Sequence, residues 1–122
     1  LELAMTAEAA QLLSSAPAIG GFKLVKMVFD RRDLEEVRML ASKITQAEPA
    51  VALLATREPG AARLVFARSQ PLEFNMGQLL AEACALLGGR GGGKPDVAQG
   101  GGPDVNNLER ALEQAAQQIG SL

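Results

Sequence analysis

The stretch from Gly88 to Gly102 constrains this chain more than any other. It holds eight of the chain's 13 glycines, interrupted by Arg90 and by Lys94-Pro95-Asp96-Val97-Ala98-Gln99. Glycine carries no Cβ, so it admits positive φ and lets a backbone approach a partner closely, at a high entropic cost of ordering. Two readings follow. The glycines could permit tight packing where a helix, an edge strand and another helix meet, which suits Gly100 to Gly102. Or the loop exposes bare N–H groups to a partner, which suits Arg90 and Lys94 standing among Gly88 to Gly93. Cations beside open backbone fit phosphate or a sugar–phosphate chain, and exposed loops often carry function. The second reading is the stronger expectation.

The rest of the chain bounds what the glycines can serve. With 122 residues and 48% hydrophobic content, one domain with one core is expected. The only aromatics are four Phe, so the core is aliphatic. The absence of His excludes Ser-His-Asp triads and His metal sites, and the lone Cys84 excludes an internal disulfide and CxxC chemistry. One thiol fits a cytoplasmic setting. No apolar run reaches membrane-spanning length. Net charge is −2, but residues 22–94 carry eleven cations against eight acids while the rest carry one against six. The chain starts Leu-Glu-Leu without Met, which reads as a piece of something longer.

Periodicity gives an α/β chain: a small mixed β-sheet with helices packed on it, in the order α-β-α-β-β-α-(β)-α. Residues 1–15 read as a helix with a Leu1, Met5, Ala9, Leu12 stripe; it is either an N-terminal helix packed on the domain or, taking residues 1–16, the tail of an upstream connecting helix before a single domain at 17–122. Phe22–Phe29 is apolar on both faces and reads as an internal strand. Asp30 or Asp33 caps a helix striped by Leu34, Val37, Leu40, Ala41 and Ile44. Val51–Ala55, a turn at 57–60 and Arg63–Arg68 make an antiparallel hairpin after a parallel crossover. Asn75 caps a helix with Met76, Leu79, Leu80, Ala83 and Leu87 inward, ended by Gly88. Asp96–Gln99 is a brief strand at most, with Pro95 placing it at an edge or a strand start. Asn106 or Asn107 caps a last helix facing inward with Leu108, Leu112, Ala115 and Ile119.

Three chemistries are set aside. Gly88 to Lys94 contains G-x-x-x-x-G-K, but Pro95 stands at the Ser/Thr position and a helix, not a strand, precedes it. A Rossmann fingerprint needs a strand before the loop too. Asp30, Asp33, Glu35 and Glu36 cluster at a helix start, where capping and the helix dipole account for them. Cys84 has no base to activate it and reads as buried.

The segment Gly89-Arg90-Gly91-Gly92-Gly93-Lys94-Pro95-Asp96-Val97-Ala98-Gln99-Gly100-Gly101-Gly102 resembles the signature of the C-terminal, DHH-associated domain of alanyl-tRNA synthetases. Asn75-Met76-Gly77-Gln78-Leu79-Leu80 is similar to the family segment before it, and the resemblance covers roughly residues 20–120. Related domains end DHH-superfamily phosphoesterases and free-standing alanyl-tRNA editing proteins. The resemblance implies a non-catalytic module that binds tRNA, alanine-specific by inheritance, at its elbow, and helps couple aminoacylation with editing; a homodimer is also within the family's range. It implies no cofactor or metal in this segment, with ATP, Mg and Zn belonging to the parent ligase. Motif positions are Gly91, Gly92, Gly93, Lys94, Asp96, Gln99 and Gly100. Physically, Arg90 and Lys94 are the phosphate candidates, with close approach at Gly91–Gly93. Lys23, Lys26, Arg63 and Arg68 are flanking candidates, and Asp96 braces the loop. With no Tyr or Trp to stack bases, recognition is expected to go by shape and phosphate. Two other readings remain open: an oligomerisation module pairing through the acidic helices at 1–15 and 106–119, and a small-nucleotide-binding regulatory domain.

Overall fold

The computed structural model describes residues 1–120. Its elements are α1 (Glu2–Ser15), β1 (Ala18–Ile19), β2 (Phe22–Asp30), α2 (Leu34–Ala47), β3 (Ala50–Glu58), β4 (Ala61–Arg68), α3 (Met76–Leu86), β5 (Arg90–Gly93), β6 (Val97–Gly102), a 3-10 turn (Val105–Asn107) and α4 (Leu108–Gly120). The expected α/β class with a mixed sheet is what is found. Six strands run in the order β1-β2-β3-β4-β6-β5. β2 and β3 are parallel across α2, and the other neighbours are antiparallel.

The sheet separates two cores, because side chains alternate across a strand. Leu24, Leu53, Leu64, Phe66 and Ala98 face α3 and α4. Val25, Ala52, Leu54, Val65 and Ala67 face α1 and α2. The stripes read from the sequence hold for α2, α3 and α4: Val37, Leu40, Ala41 and Ile44, Met76, Leu80 and Ala83, and Leu108, Leu112, Ala115 and Ile119 are buried. In α1 the buried set is Met5, Ala9 and Leu13, not Leu1 or Leu12; Leu1 is 74% exposed. The helical register turns Leu13 onto α2 and leaves Leu12 half-buried.

Several expectations need correction. The turn region 17–21 contains a strand, because Ala18 and Ile19 pair with Lys23 and Phe22. β2 is not internal along its length, since β1 covers only its first two residues, and Met27 is 38% exposed. Asp33, not Asp30, caps α2, its carboxylate accepting from Glu35 N at 2.8 Å. The β3–β4 turn shrinks to Pro59-Gly60, with Gly60 at φ +76°. The 3-10 turn precedes α4, and the Asn107 amide donates to Leu86 O instead of capping the helix. The glycine stretch is the largest revision. It is not a loop but a hairpin of β5 and β6, and β6 is an inner strand running to Gly102, with Pro95 in the turn.

Candidate nucleic-acid interface

The hairpin exists because α3 lies against it. Asn75 caps α3 through Gln78 N at 3.1 Å, and Met76 N donates to Pro95 O at 2.8 Å, so the helix start is tied to the hairpin turn. At the other end, Gly88 N donates to Ala85 O and Gly89 N to Cys84 O, the bond pattern of a Schellman motif. Gly88 takes the left-handed conformation that this motif requires, at φ +71°.

Between those ties the strands are pressed on the helix. A Cβ on Gly91 would stand 2.7 Å from Gly100 Cα and from Leu80 Cδ2, and 2.9 Å from Cys84 Sγ. One on Gly100 would meet Gly91 Cα, Arg90 O and Cys84 Sγ. Gly89, Gly93, Gly101 and Gly102 are equally closed by backbone atoms. The structural reading of the glycines therefore accounts for six of them. Cys84, buried beneath the hairpin, has its thiol pushed up from the ordinary value by desolvation.

Gly92 is different. A Cβ there would meet nothing within 4 Å, and its backbone is not in the left-handed region. Alternation sets it, with Arg90, Gln99 and Gly101, on the side of the sheet away from α3. The cross-strand row Arg63–Gly101–Arg90 shares that side. Arg90 and Gln99 are exposed, and their side chains make no hydrogen bond or ion pair among the described residues.

The remaining candidates divide clearly. Lys94 is exposed in the turn, and its charge helps hold the Asp96 carboxyl low, after the larger effect of the Gln70 hydrogen bond. Asp96 accepts from Gln70 Nε2 at 2.9 Å and, through its carbonyl, from Arg68 N. Arg63 is exposed and reaches Glu58 at 3.4 Å. Lys23 is held by Leu13 O and Glu48, and Lys26 by Glu113. Arg68 donates to the carbonyls of Phe74, Ser69 and Gln70, fixing the loop before α3. Thus Arg63, Arg90, Gly92, Lys94, Gln99 and Gly100 lie together on the hairpin and its neighbour. Lys23 and Lys26 lie at the other end of the sheet. One residue was missed: Arg38 on α2, exposed and without a hydrogen bond or ion pair among the described residues, lines a cleft of about 290 Å³ with Ala67, Asp96 and Val97. A larger cleft of about 660 Å³, lined by Phe22, Leu72, Phe74 and Leu79 with Glu73 and Glu82 at its rim, opens beside α3 and α4 and offers no cation. Among the described residues no helix is long and apolar enough to cross a membrane.

Residues 20–121 match the DHHA1 domain. The chain belongs to the DHHA1 domain family. Among curated relatives, this DHHA1 domain is 39% identical to an alanine–tRNA ligase of Methanoregula boonei over 84% of the chain, and 34% identical to that of Shouchella clausii over 95%. It spans only 11% and 14% of the lengths of those two ligases. Its fold matches the C-Ala domain of Aquifex aeolicus alanyl-tRNA synthetase with TM-score 0.80 and 28% identity, over 87% of this chain and 98% of that one. RecJ of Thermus thermophilus shares the fold alone, at TM-score 0.61 and 21% identity over 95% of this chain and 17% of that one. The DHHA1 domain is thus of the kind that stands at the C-terminus of alanyl-tRNA synthetases.

Proposed function

We propose that this domain is a tRNA-binding accessory module of an alanyl-tRNA synthetase. It grips the elbow of the tRNA, alanine-specific through its parent, so that aminoacylation and editing act on one bound molecule in the cytoplasm. The domain itself carries neither step and takes no cofactor. The observation that supports this most is the placement of Arg90 and Lys94 at the two ends of an edge strand made of glycine. Neither forms an ion pair among the described residues, although Lys94 stands near enough to Asp96 to lower its carboxyl, and an edge strand offers outward N–H groups beside them. Phosphate contact of this sort gives affinity without base reading, and it falls with salt.

The test is titration of fluorescent alanine tRNA with this chain across a salt series. The Arg90→Gln/Lys94→Gln pair is expected to flatten the slope of log K against log salt by about 1–2 if each cation meets one phosphate. An unchanged slope removes the hairpin from the interface.

A further inference from the structure

The hairpin has two faces, and only one is used by the fold. Cβ positions on Gly91 and Gly100 run into Leu80 and Cys84, so that face belongs to α3. The other face carries Arg90, Gly92, Gln99 and Gly101; α2, which packs on β3 and β4, reaches only Val97 at the start of β6 and leaves these four uncovered. β6 is antiparallel to both of its neighbours, and an antiparallel strand can leave one face open to water or to a partner. Here the uncovered side is paved with bare backbone, one amide side chain and cations. Arg63 and Arg90 flank Gly101 in one row, two strand spacings or about 10 Å apart. Four residues along β6, about 13 Å, lies the cleft lined by Val97, Asp96 and Arg38. Two acids beside this face are engaged: Asp96 accepts from Gln70, and Glu58 pairs with Arg63 in an exposed contact that is cheap to exchange.

Gly92 sharpens the picture. Every other glycine of the two strands is closed by neighbouring backbone or side-chain atoms, whereas Gly92 has open space over it and ordinary backbone geometry. The fold would accept, and gain from, a side chain there, because glycine weakens a strand. Its lack of one keeps the shelf between Arg90 and Gln99 flat.

We propose that one sugar–phosphate strand of a folded RNA lies across this α2-side face, its phosphates on Arg63, Arg90 and Lys94, its backbone seated over Gly92 and Gly101, with Arg38 as the opposite wall. The proposal rests on the tRNA reading above and adds the face, the close-approach residue and a cation on α2. The ligand is a single RNA backbone, since a shelf about 10 Å across, bearing no aromatic ring, neither spans a duplex groove nor stacks bases.

The experiment compares Gly92→Val, Arg38→Gln, Lys23→Gln, Lys26→Gln and the Arg90→Gln/Lys94→Gln pair with the parent chain for thermal unfolding and for salt-dependent binding of fluorescent alanine tRNA. Gly92→Val is expected to melt no lower than the parent and to bind about tenfold more weakly. Arg38→Gln is expected to lower the salt slope by about 0.7–0.9, one phosphate's share. Lys23→Gln and Lys26→Gln are expected to leave the slope unchanged. If Gly92→Val and Arg38→Gln bind like the parent while Arg90→Gln/Lys94→Gln still flattens the slope, the tRNA reading stands and this face is overturned. If the unmodified chain does not bind the tRNA at all, the reading beneath it fails as well.

Discussion

The two faces of the glycine hairpin carry nearly the same residue type and do opposite things. On the α3 side, glycine exists because the strand backbone touches a helix: Gly91 and Gly100 sit on Leu80 and Cys84 with no room for a methyl group. On the α2 side, Gly101 is closed by the Ala62 carbonyl, whereas a side chain on Gly92 would stand in open space. The lesson is that a run of glycines is not one signal. Close-packed glycines report stability, and the open glycine beside Arg90 is the one on which the proposed contact with a partner turns.

Breaking the packed face should produce the largest effect. Gly100→Ala drives a Cβ into Gly91, Arg90 and Cys84, and overpacking against backbone costs about 3 kcal/mol. For a domain of this size that lowers the melting temperature by about 10 °C, measured by circular dichroism; a melting point within about 2 °C of the parent would show that α3 and the hairpin yield freely. Arg68→Ala comes next. It removes the guanidinium that binds Phe74 O and Ser69 O and leaves those carbonyls without it, at about 1–2 kcal/mol. Chemical denaturation measures that loss, and the tRNA salt slope should stay at the parent value, separating a cation of the fold from the cations of the face.

Acid stability gives a smaller effect away from the hairpin. Glu8 accepts two hydrogen bonds from Arg32, and that contact holds its carboxyl below the ordinary 4.5. A depressed folded pKa adds stability that is present above the unfolded value and lost as pH falls through the folded one. Glu8→Gln should therefore lower stability at neutral pH, and parent and variant should converge as pH falls below the ordinary carboxyl value and through the lowered one of the folded state, read from unfolding midpoints along a pH series. A gap that persists at low pH would show that the contact works through packing. The smallest effect is expected at Gly92→Ala, which should be neutral or add a few tenths of a kcal/mol, against the loss at Gly100→Ala.

The contrast also explains what could be read from the sequence. α2 and α4 were plain because Val37, Leu40, Ala41 and Ile44, and Leu108, Leu112, Ala115 and Ile119, repeat at helical spacing over polar intervals. The hairpin was hidden because a strand is recognised by alternating side chains, and Arg90 to Gly93 has almost none to alternate. β1 was hidden by its length of two residues. The cations Arg90 and Lys94 were visible from composition, whereas Arg38 looked like any solvated residue of a helix until the sheet brought Val97 opposite it. Lys23, Lys26 and Arg68 drew attention as charges, and only geometry shows their ties to Glu48, Glu113 and the carbonyls before α3. Nothing in the sequence separates Gly92 from Gly91 or Gly93; the distinction is a matter of which side of the sheet each one faces.

The most direct measurement is amide chemical-shift mapping of this chain during titration with alanine tRNA. The account predicts perturbation at Arg38, Arg63, Arg90, Gly92, Gln99 and Gly101, with Phe74, Leu79 and Glu82 in the acidic-rimmed cleft unmoved. Perturbation centred on that cleft, with the α2-side face silent, would contradict it.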